Sequence, residues 1–384
     1  MRRFAALCVA VVLLVAARAE PVQSQEVVLA LVGPMTGESS EYGLAARRAV
    51  ELFANEVSEA GGLNIAGSKR PLRIEVADDK ADPERAASEA SRLSAEENLV
   101  AVIGHFNSPC CLAANPVYAQ EGVVQLSYGC TDPAVTTDNP WTFRNVFDDI
   151  SVGTAAALYA KEVLEIERVA VVFDSTSGKG LRNSFLAQAE TMGLIVVGKE
   201  AYDSEEINFR GMLTKMRIRR PQALFLSGPY TQTGLIVYQA HELGLRNVQF
   251  LGTGSLANLE FISIAGPASD GAIAVSPVLF DGDAAQTETK AFEQKFVARY
   301  GVAPDWVAAS AYDAARMVAR TLEAIGTTDR KALRDALAAK ATPDVGFSGV
   351  TGLTFFDANG GSPKHVFFQQ VRGGSWVPAA TQPE

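Results

Sequence analysis

The chain has 384 residues, of which 34 are basic and 44 are acidic, and its formal net charge is −10. A negative charge of this size argues against nucleic acid and against anionic lipid surfaces as partners. The length is sufficient for two domains, each with a substantial core.

The first 19 residues have the pattern of a secretory signal peptide. Arg2 and Arg3 form a basic start, residues 4–16 are apolar, and Ala-Arg-Ala at 17–19 is a small-x-small cleavage site. The apolar run is too short to span a membrane, and no small-residue lipid-attachment motif precedes Cys8. The pattern predicts an exported, periplasmic protein, and the alternative is an uncleaved membrane anchor.

Predicted strands and helices alternate through most of the remaining chain. Short apolar and β-branched runs predict a first series of strands at 27–32, 71–77, 99–103 and 123–126. A connecting strand and a second series are predicted at 142–146, 169–173, 194–197, 223–227 and 249–251. This alternation indicates an α/β fold in which helices cover both faces of parallel sheets.

The order changes after Gly271. The pattern predicts a strand at 272–277 and three helices, at 287–300, 306–325 and 330–339. Two apolar runs, 350–355 and 365–371, then flank Asn359-Gly360. Asn-Gly between apolar runs is typical of a tight turn, so a β-hairpin is predicted there.

Two loops of the first series stand out because they follow neighbouring predicted strands. One leads into Ser108-Pro109, which opens a helix, and the other is Ser-Tyr-Gly-Cys-Thr-Asp-Pro at 127–133. Both leave the carboxyl edge of the predicted sheet, where open α/β sheets bind small molecules. Hydroxyls, glycine N–H groups and a helix N-terminus can together hold an anion without a charged side chain.

Three cysteines remain after the signal peptide, and all lie in or beside these loops: Cys110, Cys111 and Cys130. An exported protein tends to oxidise cysteines that lie close together. Two outcomes stay open: Cys130 bonded to Cys110 or Cys111 with one thiol left over, or three buried free thiols.

Several short motifs occur in an order that resembles a known family. They are Gly33-Pro34-Met35-Thr36-Gly37, Asp82-Pro83, Thr131-Asp132-Pro133 and Phe250-Leu251-Gly252. Together with the signal peptide, the chain is similar to the periplasmic solute-binding proteins of branched-chain amino acid ABC transporters, the leucine/isoleucine/valine-binding family. No single motif is specific, but the order covers essentially the whole mature chain.

The resemblance implies a fold of two Rossmann-like lobes, a type I periplasmic binding protein, joined by a three-crossing hinge. The first lobe would take residues 26–148 and 277–348, and the second 149–276 and 349–384. Such lobes close on a ligand by hinge motion at the crossings.

The same resemblance implies a function and a ligand site. The protein would be the solute-binding component of an ABC importer, working with a membrane permease, without a cofactor or metal, and as a monomer. The ligand would be a small amino acid, carboxylate or amide. The residues that match ligand contacts of the family, or lie beside such positions, are Tyr42, Ser108, Gly129, Thr131, Ser177, Tyr230 and Gly254.

Gly254 departs from the family pattern, because amino-acid binders carry a glutamate there that faces the ligand ammonium. Burying an ammonium without a carboxylate costs several kcal/mol. Either Glu38, Asp132 or Asp148 replaces the missing acid, or the ligand has no amino group. The second case also admits a freestanding periplasmic sensor for amides, urea or aromatic acids.

The remaining alternative to a binding protein is an enzyme. His105 lies three residues before Ser108, but there is no Gly-x-Ser-x-Gly motif and no metal-ligand spacing among the three histidines. We therefore expect His105 to pack at a strand end and the protein to be no enzyme.

Overall fold

The computed structural model describes residues 26–282 and 285–382, and the predicted signal peptide lies outside them. The α-helices in chain order are α1 (Ser40–Glu59), α2 (Pro83–Ser94), α3 (Ser108–Glu121), α4 (Asp149–Leu158), α5 (Lys179–Thr191), α6 (Arg210–Ile218), α7 (Tyr230–Glu242), α8 (Leu259–Ala265), α9 (Thr287–Tyr300), α10 (Trp306–Ile325) and α11 (Arg330–Ala338). None of the helices in this part of the chain is both long and apolar enough to cross a membrane.

The strands in chain order are β1 (Val27–Gly33), β2 (Leu63–Ile65), β3 (Ser68–Arg70), β4 (Leu72–Asp78), β5 (Leu99–Ile103), β6 (Val124–Ser127), β7 (Thr142–Arg144), β8 (Arg168–Asp174), β9 (Ile195–Tyr202), β10 (Ala223–Ser227), β11 (Gln249–Gly252), β12 (Ile273–Ser276), β13 (Phe347–Gly349), β14 (Gly352–Thr354), β15 (Phe367–Arg372) and β16 (Ser375–Pro378). They form two large sheets, one in each of two lobes, and two small hairpins.

The first lobe is built on a five-stranded parallel sheet in the order β4-β1-β5-β6-β7. Strand β5 is buried along its whole length, as its apolar and β-branched sequence predicts. Ala101 pairs with Val124, and Ile103 with Leu126. The prediction that these two runs are neighbouring parallel strands is therefore confirmed, and their loops share one edge.

The second lobe is built on a seven-stranded sheet in the order β16-β15-β12-β11-β10-β8-β9. Strands β8 to β12 pair in parallel, whereas β15 and β16 add an antiparallel edge. The carboxyl ends of β8, β10 and β11 lead into the loops that take part in the site described below.

The predicted hairpin at Asn359-Gly360 is wrong. The turn from Asp357 to Gly361 closes on itself, because the Asp357 carboxylate accepts from the N–H groups of Asn359 and Gly361. The C-terminal antiparallel pair, β15 and β16, turns instead at Gly373-Gly374, whose φ angles are 58° and 79°. Two residues with positive φ form the tight turn that suits a hairpin.

A disulfide joins Cys111 and Cys130, while Cys110 is a buried free thiol. The bond connects the first turn of α3 to the loop after β6. Successive helical residues differ in direction by about 100°, so only one of the two adjacent cysteines faces Cys130. This settles the alternatives that the sequence left open.

Candidate functional site

A cavity of about 90 Å³ lies between the two lobes, at the carboxyl ends of both sheets. Six of the seven predicted site residues line it: Tyr42, Ser108, Gly129, Thr131, Ser177 and Gly254. The seventh, Tyr230, packs edge-on against Tyr42, with 5.0 Å between ring centroids, and does not belong to the lining. The predicted residues are therefore brought together from both lobes.

Ser108 is the polar centre of the first-lobe wall. It is the first residue of α3, where Asn107 takes the N-cap position and Pro109 provides the fixed backbone of a helix start. Its hydroxyl oxygen accepts hydrogen bonds from the backbone N–H groups of Thr131 and Asp132, both at 3.1 Å. The hydroxyl thereby fixes the two loops against each other, and its own proton can be donated to a ligand.

The backbone N–H of Gly129 is expected to face a ligand, but in the structure it bonds to a protein group. Its N–H donates to the Ser127 hydroxyl at 3.3 Å instead of being fully available to a ligand. A side chain at this position would collide with the Phe106 ring, because a Cβ would lie 2.2 Å from a ring carbon. Glycine is therefore needed here so that Phe106 can reach the cavity wall.

Thr131 lies against a buried carboxyl group of the second lobe. Its backbone carbonyl accepts a hydrogen bond from the Asp149 N–H at 2.8 Å, and the Asp149 residue is only 5 % exposed, with no hydrogen-bond partner for its Oδ1. Burial raises the pKa of Asp149 to about 6; the Thr131 hydrogen bond and the charge of Arg144 oppose this rise, and Asp132 and Asp148 add to it. Asp149 does not line the cavity, and sequence reasoning did not single it out, since one more acid at a helix start gives no signal.

Aromatic rings form a large part of the first-lobe wall. Tyr42 stacks on Phe106 with ring centroids 4.3 Å apart. Trp306, at the start of α10, lies 6.0 Å from Phe106 and 6.4 Å from Phe147, measured between ring centroids. Phe106 and Phe147 are lining residues that the sequence did not reveal, because a buried phenylalanine usually belongs to a core.

The two lobes contact each other directly around the cavity. The Tyr42 hydroxyl donates to the Ser255 carbonyl at 2.8 Å and accepts from the Tyr230 N–H at 3.3 Å. The Tyr230 hydroxyl donates to the Glu38 carbonyl at 2.7 Å. The Trp306 indole N–H donates to the Gly254 carbonyl at 2.7 Å. These bonds describe a closed arrangement of the lobes.

The second-lobe wall carries several hydroxyl groups, but most of them already donate hydrogen bonds to other groups of the protein. The Ser177 hydroxyl donates to the Asp174 carboxylate at 2.9 Å, so its oxygen can only accept from a ligand. The Ser255 hydroxyl donates to the Gly228 carbonyl at 2.6 Å. Because Ser255 has one proton, Thr253 must be the donor in their 2.8 Å contact.

Among the described residues that line the cavity, none carries a carboxylate, ammonium or guanidinium group. The acids proposed as replacements at Gly254 have other partners. Glu38 accepts from Gln232, Asp132 accepts from the Ala134 N–H, and Asp148 caps α4 through the Ser151 N–H. The arrangement suits a small ligand that has an apolar body and needs no fixed counter-charge.

His105 packs in the interior, as expected. It is fully buried, and its Nδ1 lies 2.7 Å from an Asp79 oxygen and its Nε2 3.4 Å from the Tyr118 hydroxyl. The ring therefore ties the end of β5 to neighbouring elements. Within residues 26–282 and 285–382, no three His, Cys, Asp or Glu side chains are grouped as metal ligands.

Similar proteins include transport proteins of known ligand. The chain is 29% identical over 344 residues to the Leu/Ile/Val-binding protein homolog 1 of Brucella melitensis, covering 88% of this chain and 89% of that protein. The branched-chain amino acid transporter substrate-binding protein LivJ of Streptococcus pneumoniae, solved in complex with isoleucine, superposes with a TM-score of 0.86 at 26% identity, covering 93% of this chain and 100% of that chain.

A second solved structure shares the fold. It is a solute-binding protein of an ABC transporter from R. palustris in complex with benzoate, with a TM-score of 0.80 at 22% identity, covering 93% of this chain and 96% of that chain. The family model described as periplasmic binding protein matches residues 26–375, nearly the whole described chain. With its two lobes and the cavity between them, the chain belongs to the periplasmic binding protein family.

Proposed function

We propose that this protein is the extracytoplasmic solute-binding component of an ABC importer, and that it holds one small carboxylate or amide in the cavity between its lobes. The main support for the proposal is the composition of the cavity wall. Six predicted contact residues, from both lobes, line this one cavity. Direct hydrogen bonds between the lobes border it. The protein would deliver its ligand to a membrane permease after export by the predicted signal peptide.

The proposal includes the roles of the site residues and the extent of the lobes. Ser108 and Thr131 would contact a ligand oxygen, and Ser177 would accept from the N–H of an amide ligand. Tyr42, with Tyr230 behind it, would close on the ligand from the side. The lobes would divide at 148/149, 276/277 and 348/349, as the resemblance implies. The protein would act as a monomer and bind its ligand without transforming it.

We further propose that the ligand lacks an α-amino group. An ammonium enclosed in this cavity would have no carboxylate among the described lining residues, and an uncompensated buried charge costs several kcal/mol. The relatives described as binding amino acids share the fold, and the chemistry of the second-lobe wall would separate this chain from them.

A thermal-shift panel tests the proposal. It compares leucine, isoleucine and valine with acetate, butyrate, benzoate and the corresponding amides. A ligand at 100 times its Kd stabilises the folded protein by about 2.7 kcal/mol. We expect acids or amides without an amino group to raise the melting temperature. A shift with the branched-chain amino acids alone would contradict the proposed ligand class.

A further inference from the structure

Trp306 crosses the cleft at one end of the cavity. It is the first residue of α10 in the first lobe and is only 4 % exposed. Its indole N–H donates to the carbonyl of Gly254 in the second lobe at 2.7 Å. Because the indole has a single N–H, no polar atom of this side chain remains for a ligand, which meets only the apolar ring.

The indole also occupies the space in front of Gly254. A Cβ at position 254 would lie 3.4 Å from two indole carbons, which is ordinary van der Waals contact. An atom added beyond Cβ toward the ring would overlap it, because carbon atoms are already in contact at about 3.5–4.0 Å. A larger side chain at position 254 that points toward α10 and the indole of Trp306 therefore compete for the same volume.

The loop around Gly254 offers no free hydroxyl proton at this end of the cavity. Ser255 donates to the Gly228 carbonyl, and Thr253 donates to Ser255. The cavity of about 90 Å³ is smaller than the roughly 150 Å³ engineered cavity that binds benzene. The indole is thus a wall that limits size and carries no charge.

We infer that Trp306 is a specificity-determining residue of the cavity: its indole limits the length of the ligand and fills the volume into which a longer side chain at position 254 would extend. The inference rests on the proposed function, because it requires the ligand to lie between the lobes. It goes further by assigning selectivity to one residue of the first lobe.

Calorimetry on Trp306→Ala tests the size limit, with acetate, butyrate and benzoate as probes. We expect the ratio of benzoate affinity to acetate affinity to rise by about tenfold or more relative to the wild type, the range that one or more methylene-sized differences produce in a shaped pocket. Trp376→Phe is the matched control, since the Trp376 N–H also donates to a backbone carbonyl, that of Asn258, but outside the cavity. W306L replaces W306A if the alanine variant does not unfold cooperatively.

A second arm tests the competition for space. Gly254→Glu alone should lose binding of the probes, whereas G254E combined with W306A should bind leucine at least about tenfold more tightly than W306A does, because a charge-assisted hydrogen bond to the ammonium becomes feasible. If G254E alone bound leucine as tightly as the double variant does, the indole would not compete with the glutamate side chain for space.

The outcomes separate the two proposals. An unchanged affinity ratio in W306A, with wild-type protein that binds a probe, overturns the role of Trp306 and leaves the proposed function standing. Absence of binding by the wild type and by every variant contradicts the proposed ligand class and overturns the inference that rests on it. A changed ratio together with the double-variant gain supports both.

Discussion

At the scale of single residues, Ser108 joins the two loops of the first-lobe wall. Its hydroxyl oxygen accepts hydrogen bonds from two backbone N–H groups of the neighbouring loop, which fixes that loop. A serine at a helix start is ordinarily a cap, but here the capping position belongs to Asn107. Ser108 and Thr131, which the sequence predicts as ligand contacts because both follow buried parallel strands, both line the cavity.

Removal of the Ser108 hydroxyl should weaken ligand binding. We expect Ser108→Ala to cost about 1.5–3 kcal/mol of binding free energy, because a hydrogen bond to a charged ligand is lost and the Thr131 and Asp132 N–H groups lose their acceptor. Calorimetry measures the change. Ser91→Ala, which removes an exposed hydroxyl from α2, is the control, and equal affinities of the two variants would show that Ser108 makes no contact.

Asp149 should make folding stability depend on pH. Burial raises its pKa from 3.8 to about 6, so the folded state favours the protonated carboxyl. The resulting stabilisation is complete below about pH 4 and is lost as the pH rises through 6. We expect Asp149→Asn to gain up to about 3 kcal/mol of unfolding free energy relative to the wild type between pH 4 and pH 7. Urea unfolding at both pH values measures it, and a difference between the two proteins that is independent of pH would contradict the assignment.

At the scale of elements, the Cys111–Cys130 bond fixes the start of α3 to the loop after β6. Both sulfur-bearing residues are fully buried, and the closed loop spans 19 residues. A bond of this kind stabilises a folded protein chiefly by restricting the unfolded chain. The two loops that carry Ser108 and Thr131 are therefore held together by both a covalent bond and hydrogen bonds.

Reduction should lower stability by roughly 2–4 kcal/mol. Urea unfolding of the wild type with and without dithiothreitol measures the loss. The variant with both Cys111→Ser and Cys130→Ser is the control, because a reductant has no bond to break in it. An identical response of the two proteins to the reductant would contradict a structural disulfide.

The elements also show what sequence could predict. Buried strands such as β5 and the capping carboxylate of Asp82, which accepts from the Arg85 N–H, follow from local residue patterns. The predicted hairpin at Asn359-Gly360 does not form, because the Asp357 carboxylate accepts hydrogen bonds from the backbone N–H groups of this turn. The choice of Cys111 over Cys110 depends on the rotation of a helix relative to another loop, which one sequence does not contain.

At the scale of the whole molecule, the lobes are joined across the cleft by a small set of hydrogen bonds. Tyr42 of the first lobe bonds to Ser255 and Tyr230 of the second, and Trp306 bonds to Gly254. Long-range contacts of this kind stabilise the closed arrangement for any ligand. Apolar wall residues such as Phe147 and Leu181 line the same cavity, but nothing in their local sequence distinguishes them from core residues.

Loss of the Tyr42 hydroxyl should weaken all ligands alike. We expect Tyr42→Phe to reduce affinity about tenfold to thirtyfold without changing the order of ligand preference, because two hydrogen bonds between the lobes, of about 1 kcal/mol each, are removed. Tyr300→Phe is the control, since the Tyr300 hydroxyl donates to Arg48 away from the cleft. A change in ligand order would place the Tyr42 hydroxyl in contact with the ligand instead.

The central claim is that the cavity holds one small ligand without an amino group. Native mass spectrometry of the mature protein, isolated from the cells that make it, weighs that ligand directly. We predict a one-to-one adduct with the mass of a small organic acid or amide, which is lost from the Ser108→Ala variant. An adduct with the mass of leucine, isoleucine or valine, retained by that variant, would contradict the claim.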